Sequence, residues 1–188
     1  MNDLDQQVRT AVADAWKRIE DWLAEHAPAS LAALAGPATT EEIAAVERAL
    51  GPALPAEFAA SLAIHRAVDL NGALADVEHP DLSELPGLRD QEVEDFMWSV
   101  DEVHEQIRLG DCWRSGWIPL GREGDGSLFV LDLDPAPAGT HGQVLYAEQG
   151  LVPDTVRYAG WLDALRAAAT ELASGHYHGV DGLIEYRD

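Results

Sequence analysis

The apolar period of this chain changes at Gly116, and that change decides its fold class. Before it, apolar residues recur every three or four positions, the mark of helices; after it they alternate in short runs, the mark of strands. Leu4, Val8, Val12, Ala15, Ile19 and Leu23 share one helical face, with Trp16 and Trp22 at its edge, and Ala27-Pro28 ends the helix. Leu31 to Ala35 adds a helical turn. Thr39 and Glu42 have capping-box spacing, and Ile43, Val46 and Leu50 form the stripe of a helix stopped by Gly51-Pro52. Pro55 suits the first turn of the next helix, which carries Phe58 and Leu62 and ends near His65. Asn71-Gly72, His79-Pro80 and Pro86-Gly87 mark Asp69 to Asp90 as mostly loop, with a short strand at Leu74–Val77. Val93, Met97, Val100, His104 and Ile107 predict a further helix, closed by Gly110.

Beyond Gly116, Trp117–Leu120 and Leu128–Leu133 read as strands joined by a glycine-rich hairpin containing Asp125-Gly126. Gln143–Ala147 and Thr155–Tyr158 follow as strands, Trp161 to Leu172 as a closing helix stopped by Gly175, and Leu183–Tyr186 as a last short strand. Helices followed by a meander of short strands predict an α+β fold: a mostly antiparallel sheet with helices packed against one side. At 188 residues the expectation is one domain over 1–188, with the helix at 3–26 packed as an extension.

The formal charge is −22, from 34 Asp and Glu against 12 Lys and Arg. Such a field repels nucleic-acid phosphates and anionic membranes and favours cationic partners. The single cysteine, Cys112, excludes an internal disulfide framework. The N-terminus has no basic region leading into an apolar run, and no apolar run reaches membrane-spanning length. The expected location is cytoplasmic.

Three blocks of sequence carry a family resemblance. The first is Pro37-Ala38-Thr39 with Glu41-Glu42-Ile43, Glu47, Leu50-Gly51, Leu54-Pro55 and Phe58. The second is Trp117-Ile118-Pro119-Leu120-Gly121, then Gly126 and the strand ending Leu131-Asp132-Leu133-Asp134-Pro135. The third is Gly142-Gln143-Val144 and Tyr146, leading to the helix at Trp161–Leu172. In this order they resemble the SUKH superfamily, also called the Smi/Knr cell-wall-assembly-regulator family, most strongly over residues 36–172. One departure is His65 to Leu70, which intervenes before Asn71-Gly72. The resemblance implies a binding module rather than an enzyme, needing no cofactor. Bacterial members look like immunity proteins that bind toxins, many of them nucleases; fungal relatives are regulators of cell-wall assembly.

The residues offer little chemistry to set against that. Asp132 and Asp134, two apart on a strand, with His141 nearby, could bind a hard cation, but Asp before a turn more often bonds the turn's backbone. His176 and His178 are half of a zinc pattern whose other half is missing, and they read as a solvated tail. No serine lies in a Gly-x-Ser-x-Gly elbow, and Cys112 beside Asp111 is in the wrong setting for a nucleophile. Trp98 stands among Glu94, Asp95, Asp101, Glu102 and Glu105, and reads either as an edge-of-core residue or as a protein-binding anchor. With Asp81, Glu84, Asp90 and Glu92 these carboxylates form the candidate rim of a partner-binding face. The main expectation is an immunity protein that occludes a basic, nuclease-like toxin domain. The alternative is a regulatory scaffold of the same family without a toxin partner, and the third reading is a metal-dependent enzyme using Asp132, Asp134 and His141.

Overall fold

The computed structural model describes residues 3–66, 81–95, 104–109, 113–122 and 125–186, and its first described elements are four helices. They are α1 (Asp3–His26), α2 (Pro28–Ala33), α3 (Thr40–Leu50) and α4 (Ala56–Leu62). A 3-10 turn at Leu82–Glu84 runs into α5 (Leu85–Asp95). Strands β1 (Trp117–Arg122), β2 (Leu128–Asp132), β3 (Gln143–Ala147) and β4 (Thr155–Tyr158) pair antiparallel in sequence order. Helix α6 (Trp161–Ala173) and the hairpin β5 (Tyr177–Val180) and β6 (Leu183–Tyr186) complete the chain. The architecture is α+β, with an antiparallel sheet. No helix among the described residues is long and apolar enough to cross a membrane.

Capping chemistry sets the helix boundaries. Thr39 and Glu42 form a reciprocal capping box at α3, and Gly51 ends that helix at φ 96°, a conformation open to glycine. Pro119 sits in edge strand β1, where a missing N–H is tolerated, and the register slips between Pro119 and Gly121.

The main core is where α1, α4 and α6 meet one sheet face. Val12, Trp16, Ile19 and Leu23 of α1, Phe58 and Leu62 of α4, and Leu165 and Leu172 of α6 join Ile118, Leu131 and Val144. The Trp16 indole N–H donates to the Ser61 hydroxyl at 2.8 Å inside this core. Phe58 meets Trp161 edge-on at 4.9 Å. The sheet's other face is also covered, contrary to the one-sided packing expected. Trp117, Leu128, Val130 and Leu145 bury there against Ile107 and Trp113, with Val93 of α5 packed alongside. The alternation in β2 signals two faces, and both are apolar, so both had to be covered.

Three further expectations are corrected. Residues 85–90 are helical, although Pro86-Gly87 reads as a turn; proline is tolerated in the first helical turn, and the Asp81–Glu84 capping box starts the segment. The helix expected through Ile107 does not include His104–Leu109. There the backbone bonds elsewhere: the Gln106 carbonyl accepts from Ala136 N–H and the Gln143 amide, and the Glu105 carbonyl from Ala138 N–H. The 96–103 part of that helix, and the strand expected at 74–77, lie outside the described residues. The tail at His176 and His178 is likewise not free. Asp181 (φ 52°) and Gly182 (φ 83°) make a two-residue turn between β5 and β6. The hairpin docks on α2 through Ala29 N–H to the Gly182 carbonyl and Ile184 N–H to the Ser30 hydroxyl.

Two substitutions test this packing. Ser61→Ala leaves the Trp16 N–H without its buried acceptor and is expected to cost about 1–3 kcal/mol in urea unfolding; an unchanged midpoint would remove that bond from the core's account. A Cβ at Gly179 would overlap the His26 carbonyl, so Gly179→Ala is expected to lift the β5–β6 hairpin. Amide exchange should then accelerate at Ile184 while β2 and β3 stay protected.

Candidate functional site

The carboxylates expected to form a partner-binding rim do not share one setting. Asp81 and Glu84 are at the start of the 3-10 turn, where each has local work. The Asp81 carboxylate accepts from the Ser83 N–H at 2.9 Å and its hydroxyl at 2.8 Å, and Glu84 accepts from the Asp81 N–H at 2.6 Å. Asp90 is exposed on α5 and pairs with Arg89 at 2.7 Å. Arg89 in turn donates to the Leu50 carbonyl at 3.0 Å and so ties α5 to the end of α3. Glu92 is buried at 9% exposure and does not belong to a rim. Glu94 and Asp95 are in the last turn of α5, Glu105 is exposed in the segment that follows, and Trp98, Asp101 and Glu102 lie outside the described residues.

Arg66 lies beside Asp81. Its guanidinium bonds Glu42 of α3 and reaches Asp81 at 3.7 Å, so two helix-start carboxylates share one cation. The Glu42 carboxyl is held at about 2 by the Thr39 backbone N–H, then by Arg66. Asp81 is also held below the usual carboxylate range, first by the Ser83 N–H. Between α3 and the 3-10 turn lies a recess of about 200 Å³, its walls Ala45, Val46, Ala49, Leu82 and Pro86, with Glu42, Asp81 and Ser83 lining it too. An apolar floor edged by ionised carboxylates can seat a hydrophobic side chain that carries a neighbouring cation. In the sequence Glu42 reads as a cap alone. Its place here depends on Arg66, which is 24 positions away and falls in the stretch where the family pattern is interrupted.

The residues of the metal reading are otherwise engaged. The Asp132 carboxylate is fully buried and accepts from the Asp134 N–H at 3.0 Å and the Gln143 amide at 2.9 Å. Burial pushes its pKa up, with Gln143 and the Asp134 N–H pulling the other way. Asp134 pairs with Arg114 at 2.8 Å and Arg108 at 3.3 Å, and His141 is exposed. Asp132 therefore caps the turn after β2. Among the described residues no group of three His, Cys, Asp or Glu side chains is placed to hold a metal ion.

With Glu42 and Asp81 depressed, the stabilisation from their ionised forms is present above the ordinary carboxylate range. It is lost as pH falls, for Glu42 through about 2. Arg66→Gln should move the Glu42 carboxyl midpoint upward in a carbon-13 NMR titration; an unmoved midpoint would show that the guanidinium does not act on it.

Comparison with known proteins places this geometry in context. Residues 37–160 match the SMI1/KNR4 family model (SUKH-1), from just before α3 to the residue before α6. A cell wall biosynthesis/cell cycle regulator of Schizosaccharomyces pombe, smi1, is 28% identical over 189 aligned positions, covering 88% of this chain and 37% of the relative. A KNR4/SMI1 homolog of Kluyveromyces lactis is 21% identical, covering 89% of this chain and 45% of the relative. The chain thus spans less than half the length of either relative.

Proposed function

We propose, from the premise that the chain belongs to the SMI1/KNR4 family (SUKH-1), that it is a non-enzymatic protein-binding module with a regulatory role. The observation that carries this reading is the S. pombe relative, a cell wall biosynthesis/cell cycle regulator aligned over 88% of this chain. The geometry supports binding rather than catalysis. Asp132 and Asp134 are occupied by a turn and two arginines, and the recess beside Asp81 has an apolar floor and an acidic edge.

In this reading the acidic exterior steers a cationic partner that meets Asp81, Glu84, Asp90, Glu94, Asp95 and Glu105, with Trp98, Asp101 and Glu102, which lie outside the described residues, added from the sequence alone. The module works as one domain in the cytoplasm. A second reading, neutralisation of a basic toxin domain by occlusion, draws on the charge of −22, which suits such a partner. Family membership covers both readings, and the relatives favour the regulatory one.

Affinity purification from the native cells separates them: cell-wall or cell-cycle components support regulation, and a secreted nuclease supports neutralisation. With the purified partner, association should be fast at about 0.01 M salt and slow steeply toward about 1 M, where the Debye length shrinks from about 30 Å to about 3 Å. Asp90→Lys and Glu105→Lys, both at exposed positions, should slow association several-fold with the unfolding midpoint kept. Rates indifferent to salt and to both reversals would count against electrostatic docking on this face.

A further inference from the structure

Among the described residues, the apolar stripe of α1 runs past the elements that cover it. Val12, Ala15, Trp16, Ile19 and Leu23 are buried, whereas Val8 is half-buried and Leu4 is 65% exposed. Beside this overrun, α1, α3 and the α4 segment enclose a trough of about 560 Å³, larger than the recess beside Asp81 and on a different face of α3. Its apolar lining includes Val8 and Ala13 from α1, Ile43 from α3, and Ala59, Ala60 and Ala63 from α4 and its last turn. Alanine walls hold the neighbouring helices' side chains low, so another backbone can come close. The lining runs from Asp5 to Ala13 on one side and from Ala56 to Ile64 on the other. Each stretch is about 12 Å of helix at about 1.5 Å per residue, the length of two helical turns.

Charge selects the occupant. Asp5 and Glu47 line the trough against Arg9, and the first turns of α1 and α3 add Asp3 and Glu41. A second copy of the chain would carry the same net charge of −22, so self-association is opposed. A helix with cationic flanks is favoured on both counts: it fills an apolar two-turn groove and answers the acidic surroundings.

We infer that this trough is a docking groove for an amphipathic helix of a partner protein, with an apolar face of two turns flanked by lysine or arginine. The inference rests on the reading of the chain as a protein-binding module and adds a contact surface separate from the recess beside Asp81.

The probe is a helical peptide of about 15 residues, long enough to hold helicity, with a leucine–alanine face and lysine flanks. Titrated into the full chain labelled with nitrogen-15, it should shift the amides of Val8, Ile43, Ala60 and Ala63 saturably. Ala13→Arg and Ala63→Arg, both at exposed positions, should each weaken binding about tenfold or more with the unfolding midpoint unchanged. A glutamate-flanked version of the peptide should bind at least about tenfold more weakly. No saturable shift, shifts centred on other surfaces, or equal binding of both peptides would overturn the inference. So would concentration-dependent dimerisation that perturbs the same amides. Salt-sensitive association of a purified partner that responds to Asp90→Lys but not to Ala63→Arg would remove the groove and leave the regulatory reading standing.

Discussion

The joint around Trp16 holds the helical half of this protein together. Its indole is buried, donates to Ser61 at 2.8 Å, and meets the His65 ring edge-on at 4.6 Å. His65 reaches the Ala35 carbonyl at 2.9 Å with one ring nitrogen and the Glu20 carboxylate at 2.8 Å with the other. One aromatic pair thereby links α1, the connection after α2 and the end of α4. A buried indole N–H needs an acceptor, and a half-buried imidazole between two oxygens has a fixed orientation. Once α1 and α4 are set, α6 can lie across α1, and the sheet closes the core from the other side.

The sheet has a second set of obligations. With both faces apolar, something other than helices α1, α4 and α6 must cover Trp117, Val130 and Leu145. The cover is Trp113, Ile107 and the end of α5. The segment bearing Ile107 is held by backbone bonds from Glu105 and Gln106 to the turn after β2, and by the His104 ring, which accepts from the N–H groups of Gln106 and Ile107. Buried Asp132 and Gln143 fasten that turn from beneath. Carboxylates that look catalytic in sequence are thus spent on holding loops.

Most helices and strands were legible because each carried its own punctuation. The α3 capping box, Gly51, Pro55, Asp125-Gly126 and Gly175 act locally and mark boundaries whatever the rest of the chain does. The misreadings came where a local signal had two outcomes. Pro86-Gly87 opens a turn or a helix, and the Asp81–Glu84 box chose helix. Asp181-Gly182 is a hairpin signal that sequence reading passed over among glycines. For the candidate site, its acidity was plain from composition, but the recess was not. Its two carboxylates, Glu42 and Asp81, share Arg66, and no spacing rule links those positions.

The sequence by itself determined most of the order of elements, the α+β class and the acidic balance. These rest on periodicity, caps and charge, which act over a few residues or by simple sum. Only the tertiary structure decided which carboxylates are spent on hydrogen bonds inside the fold. Glu57 shows why. It looks like a surface residue of α4, yet its carboxylate accepts from the Leu162 N–H at 3.0 Å and caps α6, whose own N-cap, Gly160, has no side chain to do so. A hydrogen bond acts over about 3 Å and is indifferent to distance along the chain, so its partners are settled only when the helices have packed.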